Sequence, residues 1–214
     1  SESFAEGGNA QNESGVYLGG NWLIGRYMKL SFYTDYAWFA WPKYRISESS
    51  GSWDNMIQLT GQKEPWSWAF RYRIRAKKRD ITGKRIAIPF TEQRARASTI
   101  YNNKNWDLQT QVDMALCQFT HKSFGIMLTE NIGYSYQHIR LNLTAGFFHT
   151  DDYNSRLYTY ERGVLYNFSF PSFYGKGMRL ALNTRVDFTN RLMLIGKLGI
   201  TKYFDRKVIG SGLQ

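Results

Sequence analysis

The sequence predicts an all-β chain, an antiparallel transmembrane β-barrel of the outer-membrane kind or a large part of one. Three observations carry that expectation. The first is the stretch from Trp66 to Lys77. Trp66, Trp68, Phe70, Tyr72, Ile74 and Ala76 share one parity, while Ser67, Ala69, Arg71, Arg73, Arg75 and Lys77 share the other. Successive side chains in a strand point to opposite faces, so this is a ribbon greasy on one side and cationic on the other. A strand that turns apolar residues to lipid and polar ones to a wet lumen has this pattern. At roughly 3.3 Å per residue its length is about 40 Å, and a tilt near 45° leaves a rise of about 28 Å, close to a bilayer core. The second observation is that the pattern recurs along the chain. The third is composition: 17% of residues are aromatic, yet mean hydropathy is −0.49. No run of about 18 apolar residues exists, which excludes a helical span. Alternation reconciles a polar average with lipid contact, because only every second residue meets the bilayer.

Eleven candidate strands follow in order. Residues 1–14 are polar and small and read as an N-terminal loop ahead of a single domain covering 1–214. Val16, Leu18, Trp22 and Ile24 alternate with Tyr17, Gly19, Asn21 and Leu23, and a Gly25–Arg26 turn follows. Met28, Leu30, Phe32, Tyr36 and Trp38 then oppose Lys29, Ser31, Tyr33 and Asp35. A loop is expected over 39–52, where Pro42 and a Ser/Gly cluster punctuate the chain. Trp53, Asn55, Ile57 and Leu59 mark a third strand, and Glu64–Pro65 turns into the fourth, which is Trp66–Lys77.

A second loop is expected over 79–90. The fifth strand, 91–101, opposes Ala95, Ala97, Thr99 and Tyr101 to Arg94, Arg96 and Ser98. The sixth sets Trp106, Leu108, Val112, Met114 and Leu116 against Asp107, Gln109, Gln111, Asp113 and Cys117. The seventh carries Ile126, Leu128, Ile132, Tyr134 and Tyr136, interrupted by Glu130. The eighth opposes Ile139, Leu141, Leu143 and Phe147 to Arg140, Asn142 and Thr144. After the polar run Asp151–Arg156, a ninth strand is expected at Val164, Tyr166 and Phe168. The tenth has Met178, Leu180, Leu182, Val186 and Phe188, and the eleventh Leu192, Leu194, Leu198 and Ile200. Strands of 10–14 residues exceed the usual soluble length of about 5–6, which argues against a soluble meander. Trp38, Trp53, Trp66, Trp68, Trp106 and Tyr136 are the expected lipid-facing and girdle aromatics.

Net charge is +11, from 28 Lys+Arg against 17 Asp+Glu. These charges alternate with aromatics within strands, which favours a cationic lumen over a nucleic-acid patch. Arg71, Arg73, Arg75, Lys77, Arg94 and Arg96 would share one lumenal wall and favour anions. The plainer reading is that they pair with carboxylates on other strands or on a plug, with Asp35, Asp107, Asp113 and Asp187 also inward.

A hydrolase is the second class considered, and no catalytic residue is assigned. His121 lies near Ser123 and His149 near Asp151, Asp152 and Ser155, but no nucleophile motif surrounds either serine. Asp151, Asp152 and Asn154 lack the full spacing of a calcium loop, so no metal or cofactor is expected. The lone Cys117 reads as an inert inward thiol, and Gly175 and Gly177 as a turn.

The runs F-F-H-T-D-D-Y-N-S-R-L-Y-T-Y-E (147–161), F-P-S-F-Y-G-K-G-M-R-L (170–180) and Y-F-D-R-K-V-I-G-S-G-L (203–213) resemble the C-terminal half of large outer-membrane barrels of Bacteroidota. N-E-S-G-V-Y-L-G-G (12–20) and the stretch 35–44 resemble the same family. Its members are often called helix-hairpin-helix-containing or ComEA-like after a small N-terminal module, of which no segment is visible here. The resemblance implies a bacterial outer-membrane location, with outer-membrane lipid or lipopolysaccharide around the barrel. It also implies further strands before residue 1 and after residue 214. An odd count of strands points the same way, because an open sheet in lipid leaves edge N–H and C=O groups unpaired. Closure by upstream sequence or another chain, with envelope protein partners, is therefore expected. The expected role is a non-enzymatic, porin-like conduit or a structural component of an envelope complex. Nucleic-acid uptake through an absent domain, or lipid hydrolysis, are the alternatives.

Overall fold

A computed structural model describes residues 12–159, 171–189 and 192–206. Ten long strands form one antiparallel sheet: β1 (Glu13–Ile24), β2 (Met28–Phe39), β3 (Ser50–Lys63), β4 (Trp66–Asp80), β5 (Ala87–Asn102), β6 (Trp106–Gln118), β7 (Lys122–Tyr136), β8 (Ile139–Thr150), β11 (Lys176–Thr189) and β12 (Leu192–Tyr203). Each long strand pairs with the next in chain order, β8 passing to β11. Between those two, β9 (Leu157–Tyr158) and β10 (Ser172–Phe173) form a small hairpin of their own. Among the described residues β1 and β12 are the two edges, and no helix is present.

Two kinds of connection alternate. At one end the described hairpins close in two or three residues, around Gly25 (φ 65°), Glu64–Pro65, Asn103 and Gln137 (φ 48°). Tight turns hold the register of the flanking strands. At the other end the connections are 40–49, 81–86, 119–121 and the long excursion that contains β9 and β10.

The register lines up side chains of one parity across all ten strands. Tyr36 faces Val16 on one side and Trp53 on the other; Leu143 faces Ile132 and Leu182. The result is one exposed apolar face that includes Leu18, Phe32, Ile57, Phe70, Leu116, Leu128, Leu141, Leu180 and Leu198. Among the described residues, charge on this face is confined to strand ends (Lys63, Lys78, Asp80, Lys122, His149, Lys176, Lys202), with the sole exception of Glu130. Glu130 lies mid-strand and accepts a hydrogen bond from the Thr110 hydroxyl opposite, 2.9 Å away. All six expected girdle aromatics are exposed here. Trp66 and Trp106 lie toward the short-turn end, packed on Tyr101 (5.0 Å) and Tyr134 (4.7 Å); Trp38 and Trp53 lie toward the long-loop end. Trp68 folds over Gly61, whose missing side chain leaves room for the indole.

The opposite face is polar and, over β6–β8, enclosed. Its apolar cluster is small: Ala115, Met127 and Phe148 of the sheet, Leu157 of β9 and Phe173 of β10, with Tyr203 alongside.

Several expected boundaries shift. The loop expected at 79–90 shrinks to 81–86, because Lys78, Arg79 and Asp80 continue the ladder opposite Pro89, Ile88 and Ala87. Pro89 is accommodated inside this paired strand, opposite Lys78. The loop expected at 39–52 shrinks to 40–49, and Glu13 and Ser14, expected in the N-terminal loop, already belong to β1. Gly177, expected in a turn, lies in β11, where a side chain would run into Phe148 and the Lys202 carbonyl. The strand expected at 164–168 lies outside the described residues.

Candidate functional site: a cation-lined wall and the loop fastened to it

β4 carries Arg71, Arg73, Arg75 and Lys77 beside Arg94 and Arg96 of β5. Arg71 stands directly opposite Arg96, and Arg73 opposite Arg94. Like charges facing each other across a ladder repel, so the arrangement needs carboxylates close by. Two come from the flanking strands and one from β5. Asp54 of β3 takes Arg73 through Nε (2.7 Å) and a closer Nη2 contact, and also Arg75 (Nη2, 3.1 Å). Asp113 of β6 takes Arg96 at 2.5 Å and is steadied by the Gln111 amide at 2.6 Å. Glu92, on β5 itself, takes Arg94 at 2.6 Å. Arg71 is held differently: its Nε donates to the neutral Gln58 at 2.6 Å. Asp187, also expected on this face, pairs with Arg185 at 2.8 Å.

Asp54 and Glu92 are members that the expected set of inward carboxylates does not contain. Both are legible by parity. Asp54 falls between Trp53 and Asn55, and Glu92 falls two residues before Arg94.

The wall also holds a loop. Residues 151–159 return across the polar face, and a set of side-chain and backbone contacts fastens them. Arg94 donates to the Arg156 carbonyl (3.3 Å) and lies 5.5 Å from the Tyr158 ring. Arg79 donates to the Asn154 side chain (3.3 Å), and the Cys117 thiol to the Asn154 carbonyl (3.2 Å). Leu157 fills the cluster over Met127. At Gly125 the Ser155 carbonyl comes so close that any side chain would collide with it. Between Leu157, Tyr158 and the guanidinium groups of Arg71, Arg73, Arg94 and Arg96 a cavity of about 180 Å³ remains.

Asp152 organises the loop. Its carboxylate accepts from the Asn154 and Ser155 amides at 2.8 and 3.1 Å and meets His121 Nε2 at 2.9 Å. Burial opposes its ionisation, but the Ser155 amide, the Ser123 hydroxyl and both Asn154 donors outweigh that, and its carboxyl is held below the usual range. Asp151 similarly accepts from the Phe124 amide at 2.8 Å. These oxygens are engaged by N–H and O–H donors, which gives the triplet Asp151, Asp152, Asn154 a structural task. Among the described residues no cluster has metal-binding geometry.

Two of the three histidines, His121 and His149, meet carboxylates. His149 lies 3.7 Å from Asp151, and the other nitrogen of His121 meets Thr120 at 3.1 Å on an exposed turn. Ser123 and Ser155 are buried, with their hydroxyls turned to Asp152. Among the described residues no serine lies within hydrogen-bond reach of an imidazole. Cys117 is fully buried on the polar face, as expected of an inward thiol.

No family model, no curated protein and no solved structure matches this chain.

Proposed function

We propose that this chain forms the wall of a bacterial outer-membrane β-barrel. In this reading it is a non-enzymatic, porin-like component of an envelope complex whose lumen is filled at the long-loop end by the chain's own 151–159 segment. The supporting observation is the apolar face, broken by charge mid-strand among the described residues only at Glu130. Ten strands share one register, exposed aromatics mark both ends, and basic groups are confined to the ends of that face. In water such a surface would be far larger than the few hundred Å² that a soluble monomer exposes. In lipid it is the ordinary exterior of a barrel.

The β1 and β12 edges carry backbone groups with no ladder partner among the described residues, and each such group costs several kcal/mol in hydrocarbon. The reading therefore includes strands that meet these edges, from this polypeptide or from a partner. Kinship with the Bacteroidota barrels is inferred on the sequence runs alone. Reading the gene for further barrel strands is its check.

The cationic wall supports a bracing role first. Three carboxylates tie up most of its guanidinium groups, and the rest of its contacts hold the loop. The remaining excess of positive charge would give any residual aqueous path a preference for anions.

Tryptophan fluorescence in vesicles with brominated acyl chains tests the membrane reading. Strong quenching, reduced when Trp68 is replaced, is expected; emission indifferent to bromine would sink it. For the finer claim, planar-bilayer currents should favour anions over cations, and Arg71→Glu should weaken that preference.

A further inference from the structure

Beyond the wall itself, the long-loop end carries a second basic cavity that the barrel reading does not require. It lies between the loop 40–49 and the β4–β5 turn and measures about 440 Å³. Arg45, Arg79, Lys84 and Arg85 line it, and Asp80 is its only acid. The Asp80 carboxylate is already engaged, since one oxygen accepts both the amide (3.2 Å) and the hydroxyl (3.1 Å) of Ser47. Glu48, in the same 40–49 loop as Arg45, is bound to Lys78 at 2.6 Å. Arg45, Lys84 and Arg85 have no carboxylate partner among the described residues, so the cavity holds an excess of cations.

The backbone is arranged to keep them together. Arg45 adopts φ 63°, which a non-glycine residue rarely does, and its carbonyl accepts the Asp80 amide at 2.8 Å. That bond joins the two loops across the cavity. Gly83 (φ 79°) makes the turn that carries Lys84 and Arg85, with the Lys84 amide bonded to the Ile81 carbonyl at 2.9 Å. Elsewhere along the same end of the sheet Lys122, Lys176 and Lys202 lie at strand ends on the apolar face, where basic groups border the exposed band. Tyr44 and Ile86, the chain neighbours of Arg45 and Arg85, stand exposed, as does Trp41 of the same 40–49 loop. Aromatic rings bordering clustered cations are the composition of a membrane interface that meets charged headgroups.

We propose that this cavity binds a phosphate group, using Arg45, Lys84 and Arg85 as the direct ligands and Asp80 as the hinge that sets the two loops. Arginine forks match phosphate oxygens in pairs, and a lysine adds a point charge. The phosphate can come free in solution or on a lipid headgroup. The headgroup source rests on the barrel reading, whereas the free source does not.

The test compares the full chain in neutral detergent with the double variant Lys84→Glu/Arg85→Glu, which alters only an exposed turn. Lys104→Glu, at the opposite short-turn end, is the control. Titration with inorganic phosphate should show saturable binding, weakened about tenfold or more in the double variant and unchanged in the control. The second arm is flotation with vesicles of phosphatidylcholine alone and of phosphatidylcholine with a minority of phosphatidic acid. Added retention on the acidic vesicles, lost in the double variant, with no binding of inorganic phosphate, assigns the site to a headgroup. Equal behaviour of wild type and double variant in both arms overturns the proposal. Failure to associate even with neutral vesicles counts against the barrel reading and leaves the phosphate titration to decide the site.

Discussion

β1 and β7 are built alike and meet different surroundings. Each alternates along its length and turns its apolar set outward, Val16, Leu18 and Trp22 in the first, Leu128, Ile132 and Tyr136 in the second. On the reverse side they part. β7 buries Met127 at 0% and Thr129 at 1% exposure, whereas β1 leaves Tyr17 at 49% and Leu23 at 72%. β7 is paired on both sides and touches β9; β1 is an edge. Alternation therefore decides which way a side chain points, and the returning loop decides what it meets. Among the described residues the polar face acquires its hydrophobic cluster where residues 151–159 and β10 come back across it, with Ala37, Phe39 and Ile46 buried separately beside the loop 40–49.

The largest test of that contrast is Met127→Ala against Leu23→Ala. The first should cost about 2–5 kcal/mol, as deletions in packed cores do, and the second less than about 1 kcal/mol. Denaturant titration in detergent compares them, and equal costs would dissolve the distinction. Gly125→Val should act on the neighbouring contact between β7 and the loop. The new side chain has no room beneath the Ser155 carbonyl, so the loop should lift and trypsin should cut after Arg156 several-fold faster while the sheet persists.

Next comes the ion-pair network that the loop leans on. Asp54→Asn leaves Arg73 and Arg75 without their carboxylate. A loss of about 1–3 kcal/mol is expected, smaller than for a fully buried pair because both arginines are partly exposed. The same change adds positive charge to the wall, so any anion preference should rise. A stability loss without a rise in preference would separate the bracing role from the conducting one.

Acid provides a gentler probe of the loop. The carboxyl of Asp152 titrates below the usual range when folded, so its contribution is complete above the unfolded value and disappears as pH falls through the folded one. Protection of Arg156 from an acid-active protease should hold through mildly acidic buffers and fail only in strong acid. Asp152→Asn should flatten that dependence. The smallest effect belongs to the apolar face: Trp66→Leu should lose only the ring contact with Tyr101, about 0.5–1.5 kcal/mol.

Much of this fold is legible in the order of the amino acids. Parity alone places Arg71, Arg73, Arg75, Lys77, Arg94 and Arg96 on one face, because period-2 geometry leaves a side chain no third option. The loop is not legible, for an equally physical reason. β9 and β10 are two residues each, too short to express a period, and Asp151–Arg156 reads as a solvated polar run. What hides there is that Ser155 and Leu157 are buried, a fact set by contacts to Gly125 and Met127 some thirty residues upstream. Carboxylate partners fall between these extremes. Asp113 points inward by its place in a clean strand, whereas Asp54 sits in a weakly patterned stretch and Glu92 at the start of a strand with few apolar residues.

The shared parity of ten strands has a genetic consequence. Most substitutions on the exposed face swap one greasy residue for another and leave the assembly intact. Loss of one codon inside β6 is another matter. Every side chain from that point to the following turn would change sides, sending Asp113 and Cys117 outward and Met114 and Leu116 into the polar interior. Length inside the strands is thus under tighter inheritance than identity, and the long connections at one end are where insertions and deletions can accumulate without changing the reading of either face.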